Sequence, residues 1–122
     1  MMHNRIQEAL TYDDVLLVPQ YSDIRSRSEV DLTTDMGRGV RLTVPIISSP
    51  MDTITEFRMA MEMDSNGMLG VIHRYNTPQQ QAALVAKARS GGATNIGAAV
   101  GVTGDFEERS ELLAESGANI IC

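Results

Sequence analysis

The stretch "VPIISSPMDTITEFRMAMEMDSNGMLGVIH", residues 44–73, holds the pattern that decides the fold. Pro45-Ile46-Ile47-Ser48 reads as a short buried strand. Thr53 to Asn66 then places Ile54, Phe57 and Met61 at helical spacing and closes on Asn66-Gly67, and Met68 to His73 returns to a strand. Downstream the same alternation repeats. Thr77-Pro78 offers an N-cap with proline in the first turn, opening a helix from Gln79 to Arg89 whose apolar content is Ala82, Leu84, Val85 and Ala88. Gly91-Gly92 ends it. Ile96 to Gly101 is a third strand, Asp105 to Ser116 a third helix with Phe106, Leu112 and Leu113, Gly117 its cap, and Ala118 to Cys122 a fourth strand.

Upstream, residues 1–43 read as an extended arm. Leu10 to Pro19 is an apolar segment stopped by proline, and a polar stretch from Tyr21 to Ser28 follows. Glu29 to Thr33 and Val40 to Val44 alternate as half-buried strands would, on either side of a turn at Met36 to Gly39. Strand–helix units with a period of about 25 residues imply a parallel sheet covered by helices. Such units build either an open doubly wound sheet or a closed (β/α)8 TIM barrel of about 250 residues. A bare apolar fourth strand would leave an unpaired edge, which favours the barrel. The expectation is therefore three β/α units and the fourth strand of a barrel over residues 44–122, the arm preceding them.

Composition narrows the function. Among 122 residues, 43% are hydrophobic and 21% charged, and the formal charge is −6. That balance argues against a broad grip on nucleic acid or an anionic membrane and leaves room for a single local phosphate site. No apolar run reaches the roughly 18 residues a bilayer requires, and "MMHNRIQEAL" lacks the core of a secretory signal, so a cytoplasmic chain is expected. Cys122 is the single cysteine, which excludes an internal disulfide and suits a reducing compartment.

Ligand sites on parallel sheets gather at the C-terminal ends of strands. Three such ends are Ser48 to Asp52, His73 to Asn76 and Gly101 to Asp105. In the first, serine hydroxyls suit a ribose or phosphate and Met51 offers a polarizable surface to a base. The plainer alternative has Asp52 or Thr53 capping the helix, Ser49 satisfying local backbone and Met51 in the core. His73 suits an acid, base or donor role, and equally a packed structural one; His3 is expected in solvent. Gly97, Gly101 and Gly104 do not fit G-x-G-x-x-G, and there is no Walker motif, nucleophile elbow or metal-ligand cluster. Cys122 has no visible base to activate it.

Four segments in order, "LTYDDVLLVPQYSDIRSRSEVDLTT" (10–34), "VPIISSPMDTITEFRMAMEM" (44–63), "GVIHRYNTPQQQAALV" (70–85) and "IGAAVGVTGDFEERSELLAESGANIIC" (96–122), resemble the N-terminal part of the inosine-5′-monophosphate dehydrogenase and guanosine-5′-monophosphate reductase family. The resemblance covers essentially the whole chain and implies the eight-fold barrel. It also implies that Ser49 and Met51 contact a bound purine nucleotide, and that His73 stands near the cofactor side of the cleft. The family's chemistry uses a cysteine that attacks purine C2 during hydride exchange with NAD or NADPH, and a monovalent cation, K+. Neither the cysteine loop nor the cation site matches any part of this chain, and Cys122 falls within the fourth strand, so no catalytic residue is expected here and the chain alone is expected to be inactive.

The loop Ser48 to Asp52 looks more like the dehydrogenase, whereas reductases tend to carry an Ala-Asn-Met-Asp version. Most dehydrogenases insert a pair of cystathionine-β-synthase-type (CBS) repeats between the second helix and third strand; here only Ser90 to Asn95 joins them. The reading is thus an IMP dehydrogenase converting IMP to XMP with NAD and lacking the CBS insertion. The alternatives are a GMP reductase converting GMP to IMP with NADPH, and a non-catalytic half-barrel serving nucleotide binding or subunit assembly. Family members are usually tetramers, in which the arm could join subunit packing.

Overall fold

The computed structural model describes residues 7–122, so His3 lies outside the described residues. The chain divides into two compact units after Val30. In the first, Tyr12–Asp14 and Arg27–Glu29 form single 3-10 turns. Thr11 and Asp14 exchange cap bonds at one, and Ser26 caps the other. Leu16, Leu17 and Tyr21 in this unit are almost wholly exposed.

The second unit opens with a hairpin, β1 (Thr34–Gly37) against β2 (Val40–Leu42). Gly37, Arg38 and Gly39 all turn in the left-handed region, at φ of 91°, 50° and 85°. The strand expected at Glu29 to Thr33 is not formed. Glu29 belongs to a 3-10 turn, and Asp31 Oδ1 accepts the Thr33 N–H at 2.9 Å, a local bond that competes with a ladder.

A parallel sheet in the order β3 (Ile47–Ser48), β4 (Leu69–Ile72), β5 (Ile96–Ala98), β6 (Ile120–Ile121) follows. Helices α1 (Phe57–Ser65), α2 (Pro78–Ser90) and α3 (Phe106–Glu115) alternate with the strands. Register pairs Gly70 with Ile96 and Ile72 with Ala98. On the helical face Ala60, Ile72, Val85, Ala88, Ile96 and Leu113 form the core. On the other face Leu42 of the hairpin packs with Leu69, Val71 and Ala99. β4 is thus buried on both faces, as a central parallel strand should be. The strand expected at Pro45 to Ser48 is shorter and is not buried. Ile46 and Ile47 are about half exposed, because β3 lies at the edge of the sheet.

Helix α1 begins four residues later than its spacing suggests. Met51 O accepts from the N–H groups of Ile54 and Thr55, closing a turn where helix was expected. Its inward residues are therefore Ala60 and Met63, flanked by half-buried Phe57 and Met61, and Ile54 stays outside. α2 follows its signals closely. Thr77 Oγ1 accepts from Gln80 N–H at 3.2 Å, Gln80 Oε1 accepts from Thr77 N–H at 3.0 Å, and Pro78 takes the first turn. Thr77→Ala should cost about 1 kcal/mol, read as a lowered urea midpoint with an unchanged slope.

The N-terminal ends of the strands are tied by polar clamps. The Asp64 carboxylate accepts from Thr94 N–H at 2.7 Å and Asn95 N–H at 2.9 Å. Arg89 donates to Ala93 O, Thr94 O, Gly117 O and Asn119 Oδ1, and that Oδ1 also accepts the Ile96 N–H at 3.0 Å. These bonds fix the end of the sheet opposite to the loops that follow the strands.

Candidate ligand site at the strand ends

The loop after β3 is shaped by Thr55, which is fully buried. Its Oγ1 lies 2.7 Å from Ser49 O and 2.8 Å from Ser48 Oγ. The hydroxyl has one proton and a carbonyl only accepts, so the proton goes to Ser49 O and the Ser48 hydroxyl completes the pair. Ser48 is thereby used internally. Ser49 is exposed, and its hydroxyl has no hydrogen-bond partner among the described residues. Met51 is 48% exposed and outside both core clusters. Neither Asp52 nor Thr53 caps α1, whose N-cap is Glu56 without a side-chain cap bond. Each part of the plainer structural account of this loop therefore fails, and a hydroxyl and a thioether stand open at the end of the edge strand.

His73 follows β4 and is only 3% exposed. Its Nδ1 accepts the Tyr75 N–H at 3.1 Å, which puts the ring proton on Nε2, 3.2 Å from Glu56 Oε1. The His73 N–H also donates to Thr55 O at 3.3 Å, so this residue joins the first two loops. Beside it lies an open cleft of about 580 Å³ lined by Asp52, Glu56, His73, Tyr75, Asn76 and Gln80, among others. The Tyr75 ring stacks on the imidazole at 6.1 Å. Neither Ser49 nor Met51 lines this cleft, so the three residues singled out in the sequence fall into two neighbouring places.

The third loop is supported by a network that sequence reading missed. Gln81, fully buried on α2, donates Nε2 to Ala99 O at 2.8 Å and to Ile72 O at 3.3 Å, at the ends of β5 and β4. Its Oε1 accepts from Arg109 Nη1 at 2.9 Å. Arg109, 7% exposed, also donates to Asn76 O at 3.0 Å and grips Asp105 through Nε and Nη2. Hydrogen bonds from Arg109, then its charge and that of Arg74, hold the Asp105 carboxyl below the usual carboxylate range. A signal existed: Gln81 stands four residues before Val85 and Arg109 four before Leu113, so each is a polar residue on the inward stripe of its helix.

Among the described residues there is no group of three His, Cys, Asp or Glu side chains arranged to hold a metal, and no helix is long and apolar enough to cross a membrane. Residues 9–122 match the family model described as the IMP dehydrogenase / GMP reductase domain. The chain is 50% identical over 90 residues to the inosine-5′-monophosphate dehydrogenase of Nitrosopumilus maritimus (strain SCM1), covering 74% of this chain and 19% of that protein. It is 43% identical over 84 residues to the GMP reductase of Leishmania donovani, covering 69% and 17%. The inosine-5′-monophosphate dehydrogenase of Pasteurella multocida (strain Pm70) is 37% identical over 114 residues, covering 92% and 23%. The chain thus spans about a fifth of the length of the curated relatives it matches.

Proposed function

Since the chain belongs to the IMP dehydrogenase / GMP reductase family, we propose that it supplies the first β/α units of an eight-fold barrel acting on a purine nucleotide, as an IMP dehydrogenase that takes IMP to XMP. The observation that carries this reading is the open Ser49 hydroxyl and exposed Met51 at the end of β3. The hydroxyl suits the ribose or phosphate, and the thioether lies flat against a base. NAD would be held on the His73 side of the cleft and would supply the acceptor for the hydride of purine C2. The role of this chain is to bind and orient, since no cysteine loop for attack on C2 is recognisable in it.

His73 enters this reading as a residue of the cofactor side. Its single N–H is committed to Glu56, so it presents the ring edge and the Glu56 carboxylate to the cleft. Cytoplasmic location and assembly as a tetramer belong to the same proposal. A GMP reductase using NADPH is the second reading, favoured by the relative of that name at 43% identity.

Two measurements, made on a chain that carries all eight barrel units, test these readings. Replacing Ser49 and Met51 together by alanine should weaken IMP binding about tenfold, the loss of one hydrogen bond and one sulfur contact, as read by calorimetry. An unchanged affinity removes the loop from the site. NAD reduction on IMP selects the dehydrogenase, and NADPH-dependent consumption of GMP selects the reductase.

A further inference from the structure

We infer that Thr55 is a positioning residue for the purine nucleotide: its buried hydroxyl fixes the loop that presents Ser49 and Met51, and its removal weakens nucleotide binding through those two residues. The inference rests on the nucleotide reading above and names what holds that site in shape.

The first ground is how little else holds the loop. β3 consists of Ile47 and Ser48 alone, and it pairs on one side only, with Leu69 and Gly70 of β4. Ser49 and Met51 are exposed, so packing of their side chains does not decide where they point. Their backbone has to be held instead.

The second ground is that Thr55 supplies those bonds with every polar atom it has. Its N–H donates to Met51 O at 2.9 Å, and its hydroxyl donates to Ser49 O at 2.7 Å while accepting from Ser48 Oγ at 2.8 Å. Its carbonyl accepts the His73 N–H at 3.3 Å, which ties the loop to the end of β4. The two residues offered to the nucleotide are thus each gripped by the same fully buried side chain or its backbone. Shut away from water, that hydroxyl has no other partner to turn to.

The third ground is chemical. A ligand that meets a loop already in its bound shape does not have to order it, so stiffness supplied from beneath appears as affinity. Among the bonds of Thr55, only those of the hydroxyl depend on the side chain. Valine has nearly the same shape, keeps both backbone bonds with the link to His73, and removes the proton that Ser49 O accepts. Ser49 O then retains only the Met51 N–H, at 2.9 Å. Serine keeps the hydroxyl and gives up a methyl.

The test is calorimetric titration with IMP of a chain that carries all eight barrel units, as wild type, Thr55→Val, Thr55→Ser, the Ser49/Met51 alanine pair, and that pair combined with Thr55→Val. Thermal melts show which variants are folded, and Thr55→Ala takes the place of Thr55→Val if the latter does not fold. The expected result is about tenfold weaker IMP binding for Thr55→Val and binding within about twofold of wild type for Thr55→Ser, since one hydrogen bond is lost in the first and kept in the second. The triple variant should bind IMP no more weakly than the alanine pair, because Thr55 acts through the residues the pair has already removed. A residue that only stabilised the fold would add its own factor to that of the pair. An unchanged affinity in Thr55→Val, an equal loss in Thr55→Ser, or a triple variant weaker than the pair by the full Thr55→Val factor overturns the proposal. Where the pair itself weakens IMP in those cases, the nucleotide reading stands without Thr55; where the pair has no effect, the nucleotide reading fails and the proposal falls with it.

Discussion

Gly70→Ala should be among the most damaging single methyls that can be added to this fold. A Cβ at residue 70 would stand 2.5 Å from Ala60 Cα, 3.1 Å from its Cβ and 3.3 Å from its N. Two of these are backbone atoms of α1, so no rotamer change relieves the clash and the helix itself has to move. Ala60 is fully buried, in one core with Ile72, Val85 and Ile96, so displacing α1 opens contacts along β4 and β5. The expected cost is about 3 kcal/mol, the upper end of ordinary overpacking, or a fall in melting temperature of about 12–24 °C for a domain of this size. Gly101→Ala is the control, because its new methyl meets mainly the mobile end of Arg74. Circular dichroism melts of the two variants should differ widely, and equal melts would mean that α1 does not rest on Gly70.

Arg109→Met should come next. The side chain it removes leaves Gln81 Oε1 and Asn76 O without their donor. Each buried acceptor so orphaned costs about 1–3 kcal/mol, and about 2–4 kcal/mol in total is expected once partial hydration of Asn76 O is allowed for. Asp105 is half exposed and returns to water. Gln81→Leu breaks the same link from its other side, so the double variant should lose clearly less than the sum of the singles. Urea unfolding of wild type, both singles and the double measures this coupling. Strict additivity would show that the two residues do not act as one unit.

The contrast between these side chains and the capped helices explains what the sequence made legible. Thr77, Pro78 and Gln80 sit within one turn of each other, so the start of α2 can be read from four adjacent residues. Gln81 and Arg109 are 28 positions apart, and only the packing of α2 on α3 reveals that they meet. Thr55 gives the same lesson at shorter range. Its hydroxyl reaches back to Ser49 O, and the turn this creates delays α1 against an apolar spacing that argued for an earlier start. At Asp31 a side-chain bond to the Thr33 N–H replaced a strand that alternation alone suggested. Ser49 and Met51 were readable as candidates from their place after an apolar run and from the family resemblance. Their exposure could be learned only from the folded loop. Arg74 lies within the second of the strand ends read as candidates, and only the fold shows that Arg109, from another element, is the arginine that holds Asp105.

Strand order has a consequence for how such a chain is made. Each strand of the sheet pairs with the next one along the chain, β3 with β4, β4 with β5 and β5 with β6. A growing polypeptide emerging from the ribosome can therefore lay each new strand onto an edge already in place, without waiting for any segment still to be synthesised. The loop entropy of each step is that of a single helix and its turns, whatever the length already assembled. Assembly by accretion of this kind keeps the search local, and the most recently made strand, like β3 at the other edge, is open to wrong partners until it is paired.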